Sequence, residues 1–137
     1  MAIPGLLVVT HGRLAEELVH AAQTIVGAHE AFEAVTIGWH DDPGEARGRI
    51  EGAIRRVDRG GGVLVLTDMF GGTPTNLALS FLEPGRVEVI TGVNLPMLIK
   101  LATLAESKSL EDLAAFIKQY GQRNISVASE LLPDRDR

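Results

Sequence analysis

The sequence predicts an α/β fold: a doubly wound, mainly parallel sheet with helices on both faces and a C-terminal antiparallel edge strand. Three observations carry that expectation. Short apolar runs, Leu6–Val9 and Val63–Leu66 the clearest, lack the alternation of a half-exposed strand and read as strands buried on both faces. Segments of helical period separate the runs. The connections are short and marked by glycine, proline and aspartate, so consecutive strands are joined by helical crossovers, which are right-handed.

Length and composition bound the function. At 137 residues, with 45% apolar and 23% charged, the chain makes one domain with a real core. The domain is expected over residues 1–130, followed by a charged, frayed tail over 131–137. Aromatic residues make up 4% and the formal net charge is −5, which argues against stacking on single strands and against a phosphate-backbone partner. With no cysteine, disulfides, thiol chemistry and zinc–thiolate sites are excluded. No basic n-region with an apolar h-region opens the chain, and no apolar run reaches membrane-spanning length. The protein is expected to be cytoplasmic, with no nucleic-acid partner and membrane association only through transporter components.

The elements follow in order. Ile3–Val9 is the first strand. Leu14, Leu18, Ala21, Ala22 and Ile25 then form one helical stripe, with Gly27 as its C-cap. Ala34–Gly38 is the second strand, and Trp39–Gly44 a polar turn. Glu45–Asp58 is a helix with Ile50, Ala53, Ile54 and Val57 inward, and with Arg47, Arg49, Arg55 and Arg56 as a solvated face. Gly60–Gly62 breaks it before the core strand Val63–Thr67. A glycine-rich stretch from Asp68 to Asn76 leads into helical Leu77–Leu82, and Arg86–Thr91 is the fourth strand. Gly92–Leu98 opens a helix reaching about Leu104. Ser109 N-caps a last helix over Leu110–Tyr120, which Gly121 ends, and Ile125–Ala128 is the edge strand.

The chemistry gathers at the strand tips, where ligands of open α/β sheets bind. The first strand delivers Thr10-His11-Gly12. A histidine there is either a hydrogen-bonded turn residue or a reactive group. In a doubly wound sheet the tips of the first and third strands are neighbours, which brings Asp68 beside His11. A carboxylate in that place fixes the imidazole tautomer and offsets positive charge on the ring. Gly71 and Gly72 permit close backbone approach, Thr73 suits an N-cap, and Pro74 suits a first helical position. That helix start aims free N–H groups at the crevice and favours an anion, phosphate in particular. An ordinary capped turn has the same local sequence. Taken together, the histidine, the aspartate and the anion cradle describe a site that makes and holds a phosphohistidine.

Competing signatures are missing. There is no G-x-x-x-x-G-K-[ST], no G-x-G-x-x-G and no G-x-S-x-G. The acidic pair that a receiver-type phosphoaspartate site needs after the first strand is replaced by Thr10-His11. His11, Asp68 and His40 form no recognised ligand set, so neither metal nor cofactor is expected. His20 and His29 read as surface residues.

Thr10-His11-Gly12, the Asp68–Asn76 loop (DMFGGTPTN) and Gly92–Leu98 (GVNLPML) resemble the mannose-family enzyme IIA domain of the bacterial phosphotransferase system. The resemblance runs from Ile3 to about Ala128. It implies that His11 accepts a phosphoryl group from the histidine-containing phosphocarrier protein and passes it to a IIB protein. By the same resemblance Asp68 is the ring's hydrogen-bond partner, and Thr73 with the Gly71–Gly72 backbone binds the phosphoryl oxygens. The resemblance also implies a homodimer that exchanges its C-terminal edge strand. The family often carries serine in place of Thr73, which keeps the hydroxyl. No fused IIB region is seen, so the acceptor is expected to be a separate chain. Thr10, Gly12, Phe70, Asn94, Leu95, Pro96 and Met97 complete the expected site as walls or docking residues. Two other functions fit the same residues: the phosphoryl donor subunit of a dihydroxyacetone kinase, and a non-catalytic anion-binding module.

Overall fold

Strand β1 (Gly5–His11) pairs in parallel with β2 (Phe32–Ile37) on one side and β3 (Val63–Thr67) on the other, and β3 pairs in parallel with β4 (Val87–Thr91). The sheet order is therefore β2-β1-β3-β4. The computed structural model describes residues 3–27, 32–104 and 107–132. The helices are α1 (Leu14–Val26), α2 (Pro43–Val57), α3 (Thr73–Leu79), α4 (Leu95–Thr103), α5 (Leu110–Arg123) and the single-turn α6 (Ala128–Leu131).

Two cores account for the apolar runs. Successive side chains of a strand point to opposite faces, and both faces of this sheet are covered. Leu6, Val8, Leu64 and Leu66 pack with Val19 of α1, Leu98 of α4 and Ile117 of α5. Leu7, Val9, Val63 and Val65 pack with Ile50 and Ala53 of α2 and Ala78 of α3. Each such side chain contributes about 1.5–3 kcal/mol when taken fully out of water, so alternation would have wasted half of every central strand.

Several local expectations shift. β2 starts at Phe32 rather than Ala34 and ends at Ile37. In α1 the buried residues are Ala15, Val19 and Ala22, while Leu14 and Ile25 are exposed. Ala22 and half-buried Leu18 pack on the core as expected, and the Thr10 hydroxyl, which accepts the Ala15 N–H at 2.6 Å, ties the first turn of the helix to β1 on its Ala15 side. α3 begins at Thr73, earlier than Leu77, with Gly72 at the N-cap, so Thr73 is the first helical residue and not the cap.

The C-terminus departs most. Gly121 does not end α5 but lies buried within it, where a Cβ would come 2.7 Å from both Cγ and Sδ of Met97. Gly121 marks a close helix–helix approach, and α5 runs on to Arg123. Within this chain the expected edge strand Ile125–Ala128 does not form. Ala128 opens α6, and Ile125–Val127 belong to no regular element among the described residues. No described strand of this chain lies beside Ile125–Val127 to supply ladder hydrogen bonds. Leu131 closes α6; the charged tail from 133 and His29 lie outside the described residues.

Candidate functional site

Parallel pairing of β1 with β3, Val9 opposite Thr67, sets the two strand tips side by side. His11 and Asp68, 57 positions apart, meet there: His11 Nδ1 lies 2.8 Å from Asp68 Oδ2. The same oxygen accepts the His11 backbone N–H at 3.1 Å. Because a carboxylate only accepts, the Nδ1 proton is the donor, and in the neutral ring Nε2 therefore carries the lone pair. Asp68 Oδ1 is buried with no hydrogen-bond partner among the described residues.

Burial pushes the Asp68 carboxyl up, but the hydrogen bonds from the His11 ring and backbone N–H, the charge of His11 and the residue's own backbone N–H together outweigh it. The net shift is below the ordinary carboxylate value. Asp68 is therefore an anion at neutral pH.

The free ring nitrogen faces the start of α3. Gly72 has φ 97° and ψ 163°, a conformation open essentially to glycine alone. A Cβ there would lie 3.1 Å from His11 Cε1 and 3.2 Å from Nε2. The backbone at Gly72 thus reaches the ring edge that carries the lone pair. Leading N–H groups of a helix have no intrahelical partner, and α3 presents them beside that edge.

Two supporting residues were not legible as site residues. Thr75, quoted only as part of the loop motif, is fully buried. Its hydroxyl donates to the Met69 carbonyl at 2.5 Å and accepts from the Thr67 hydroxyl at 2.7 Å, tying the loop after Asp68 to β3. Trp39, read as part of a polar turn, stacks on His11 with ring centroids 5.3 Å apart and planes 30° from parallel. A lone tryptophan two positions past a strand tip was the available signal, but only the β1–β2 register, His11 opposite Ile37, turns it into a neighbour.

The other expected residues divide. Phe70, Gly71 and Gly72 form the turn after Asp68 and Thr73 opens α3; Phe70 is exposed, and Gly72 lies against the His11 ring. Gly12 follows His11 with φ 54° and donates its N–H to the Ile37 carbonyl. Thr10 and Met97 are buried, and Met97 lines, with Asn94 and Gly121, the floor of a cavity of about 390 Å³ between β4 and α5. Asn94 N-caps α4 by accepting the Met97 N–H at 3.1 Å, and its Nδ2 donates to the Gly121 carbonyl at 3.1 Å. Leu95 and Pro96 are half-buried at the head of the same helix. The contacts of Asn94 and Met97 run to α5. His40 and His20 are exposed, and among the described residues no three His, Asp or Glu side chains are gathered to hold a metal ion.

A sequence model described as "PTS system fructose IIA component" matches residues 5–118. The "PTS system fructose-specific EIIA component" of Bacillus subtilis (strain 168) is 41% identical over 81 residues, 58% of this chain and 56% of that protein. The "PTS system mannose-specific EIIAB component" of Escherichia coli (strain K12) is 34% identical over 125 residues, 86% of this chain and 37% of that protein. The matches thus span about half or less of these relatives. Among solved structures, the mannose/sorbose-specific IIA subunit from Enterococcus faecalis superposes with a TM-score of 0.85 at 29% identity, covering 98% of this chain and 99% of that one. The IIA protein associated with the fucose utilization operon of Streptococcus pneumoniae gives 0.83 at 28% identity, covering 97% and 100%.

Proposed function

The chain belongs to the mannose-type enzyme IIA family of the bacterial sugar phosphotransferase system, whose members are phosphocarriers in sugar uptake, and from that premise we propose that His11 carries the phosphoryl group on Nε2. The donor is the histidine-containing phosphocarrier protein and the acceptor a separate IIB protein. The single observation that supports this most directly is the 2.8 Å contact between His11 Nδ1 and Asp68, which leaves Nε2 as the nucleophile beside Gly72.

The step needs positioning and charge stabilisation more than covalent help. The Nε2 lone pair forms the new P–N bond in line with the P–N bond that breaks, and the electron pair of the broken bond stays on the donor's ring nitrogen. His11 keeps its Nδ1 proton, so the phosphorylated ring is cationic, and the Asp68 anion offsets that charge. The Gly71 and Gly72 backbone and the Thr73 hydroxyl, at the head of α3, receive the phosphoryl oxygens; a helix N-terminus favours anions. The protein works in the cytoplasm, where both partners act; among the described residues no helix is long and apolar enough to cross a membrane. A homodimer is part of the proposal, supported by exposed Ile125, Val127 and Leu131 beyond α5.

Incubation with phosphoenolpyruvate, the general enzyme of the relay and its phosphocarrier tests the proposal. An acid-labile, alkali-stable phosphate is expected on the wild type and not on His11→Ala. Absence of label on the wild type would leave an anion-binding module. Transfer onward to a IIB protein, rather than to a dihydroxyacetone kinase subunit, identifies the acceptor.

A further inference from the structure

Trp39 is the sole tryptophan of the chain, and it is 80% exposed. An indole in that state adds little to any core. Its described ring contact is the His11 imidazole, at 5.3 Å between centroids and 30° between planes, within the range of an offset stack.

The turn that carries it is tightly made. The Asp41 carboxylate accepts the Gly38 N–H at 2.8 Å, and the Asp41 N–H donates to the Gly38 carbonyl at 3.3 Å. Arg49 of α2 locks that carboxylate through Nη2 at 2.6 Å and donates from Nη1 to the Thr36 carbonyl at 2.8 Å. Trp39 therefore stands on a turn tied to both β2 and α2.

We propose that Trp39 is a positioning residue for His11, holding the face of the imidazole while Asp68 holds its Nδ1 edge and Gly72 lies against its Cε1–Nε2 edge. The proposal rests on the phosphocarrier reading. A hydrogen bond weakens steeply only when bent far from linear, so Asp68 by itself leaves the ring free to tilt. A face contact removes that tilt and keeps the Nε2 lone pair on the line of attack. The same contact acts on charge. When Nε2 takes the phosphoryl group the ring becomes cationic, and the face of an indole is the most favourable aromatic partner for a cation. The stack is therefore stronger in the product than in the neutral ring.

The test uses the full chain as wild type, Trp39→Leu and Trp39→Phe. Proton NMR of the unphosphorylated protein reads the contact: the His11 ring protons are expected upfield in the wild type and displaced from there in Trp39→Leu. Phosphorylation by the phosphocarrier, followed by rapid quench over a range of donor concentrations, reads the function. Trp39→Leu is expected to slow the saturated rate about two- to fivefold, the scale of an exposed cation–π contact, with the donor KM unchanged. Trp39→Phe is expected to recover part of the loss. A wild-type saturated rate in Trp39→Leu, or a defect confined to KM, overturns the proposal, the second making Trp39 a docking contact. Ring protons unmoved by Trp39→Leu overturn it as well. A wild type that takes up no phosphoryl group overturns the carrier reading itself, and positioning for transfer falls with it.

Discussion

Asp68 Oδ2 lies 2.8 Å from His11 Nδ1 and also accepts the His11 backbone N–H at 3.1 Å, so one carboxylate oxygen fixes both the main chain and the ring of the same residue. Its position is set by β3 and that of His11 by β1, and the pairing of those strands makes the distance reproducible.

Asp68→Asn keeps an acceptor for Nδ1 but removes the charge that offsets a cationic ring. Hydrogen bonds to charged groups are worth about 1.5–3 kcal/mol, which is on the order of a ten- to hundredfold slower phosphorylation. Rapid-quench labelling measures it. A wild-type rate would remove the Asp68 charge from the mechanism.

The same pair gives an acid limb. The folded Asp68 pKa is lowered, so its contribution to stability is fully present above the unfolded value of about 3.9 and is lost as pH falls toward the lowered folded value. Stability therefore rises with pH across that window. Asp41, also lowered by the Gly38 N–H and by Arg49, titrates in the same region. Urea unfolding of wild type and Asp68→Asn between pH 2 and 5 isolates the Asp68 share: the variant is expected to show the shallower slope.

Gly71 and Gly72 separate strain from contact. Both have positive φ, 80° and 97°, but a Cβ on Gly71 meets nothing within 4 Å, whereas one on Gly72 meets the His11 ring. Each alanine variant is expected to lose about 1–3 kcal/mol of stability. Gly72→Ala alone should also depress phosphorylation beyond its effect on folding, measured at a temperature where both variants are folded. Equal rates in the two would show that the ring edge tolerates the methyl group.

Thr75→Val is nearly isosteric and deletes the hydroxyl between the Met69 carbonyl and the Thr67 hydroxyl. Leaving buried polar groups unsatisfied costs about 1–3 kcal/mol. The expected signature in hydrogen exchange is faster opening of the Asp68–Gly72 loop, with the protection of β1 retained. Unchanged loop protection would mean that the glycine backbone holds its shape without the clamp.

How much of this was legible beforehand varied with how local the cause is. Val63–Thr67, the Ser109 cap and the start of α5 were readable because strand burial and capping are written in adjacent residues. His11 and Asp68 were readable as a pair because strand tips in a doubly wound sheet have a known order. The face of α1 was right at Ala22 and Leu18, which pack on the core, but not at Leu14 and Ile25, whose places in the buried stripe go to Ala15 and Val19. Gly121 read as a helix stop because nothing local shows that Met97 lies across it.

The sequence by itself determined the α/β class, the two-faced cores and the identity of the paired histidine and aspartate, since apolar period and strand-end residues depend on short stretches of chain. Tertiary structure alone decided that Nδ1 is the bound nitrogen and Nε2 the free one, that Thr75 clamps the loop, and that Trp39 covers the ring. Those facts depend on the β2-β1-β3 register and on side-chain direction. Both are settled by packing between segments far apart in the chain.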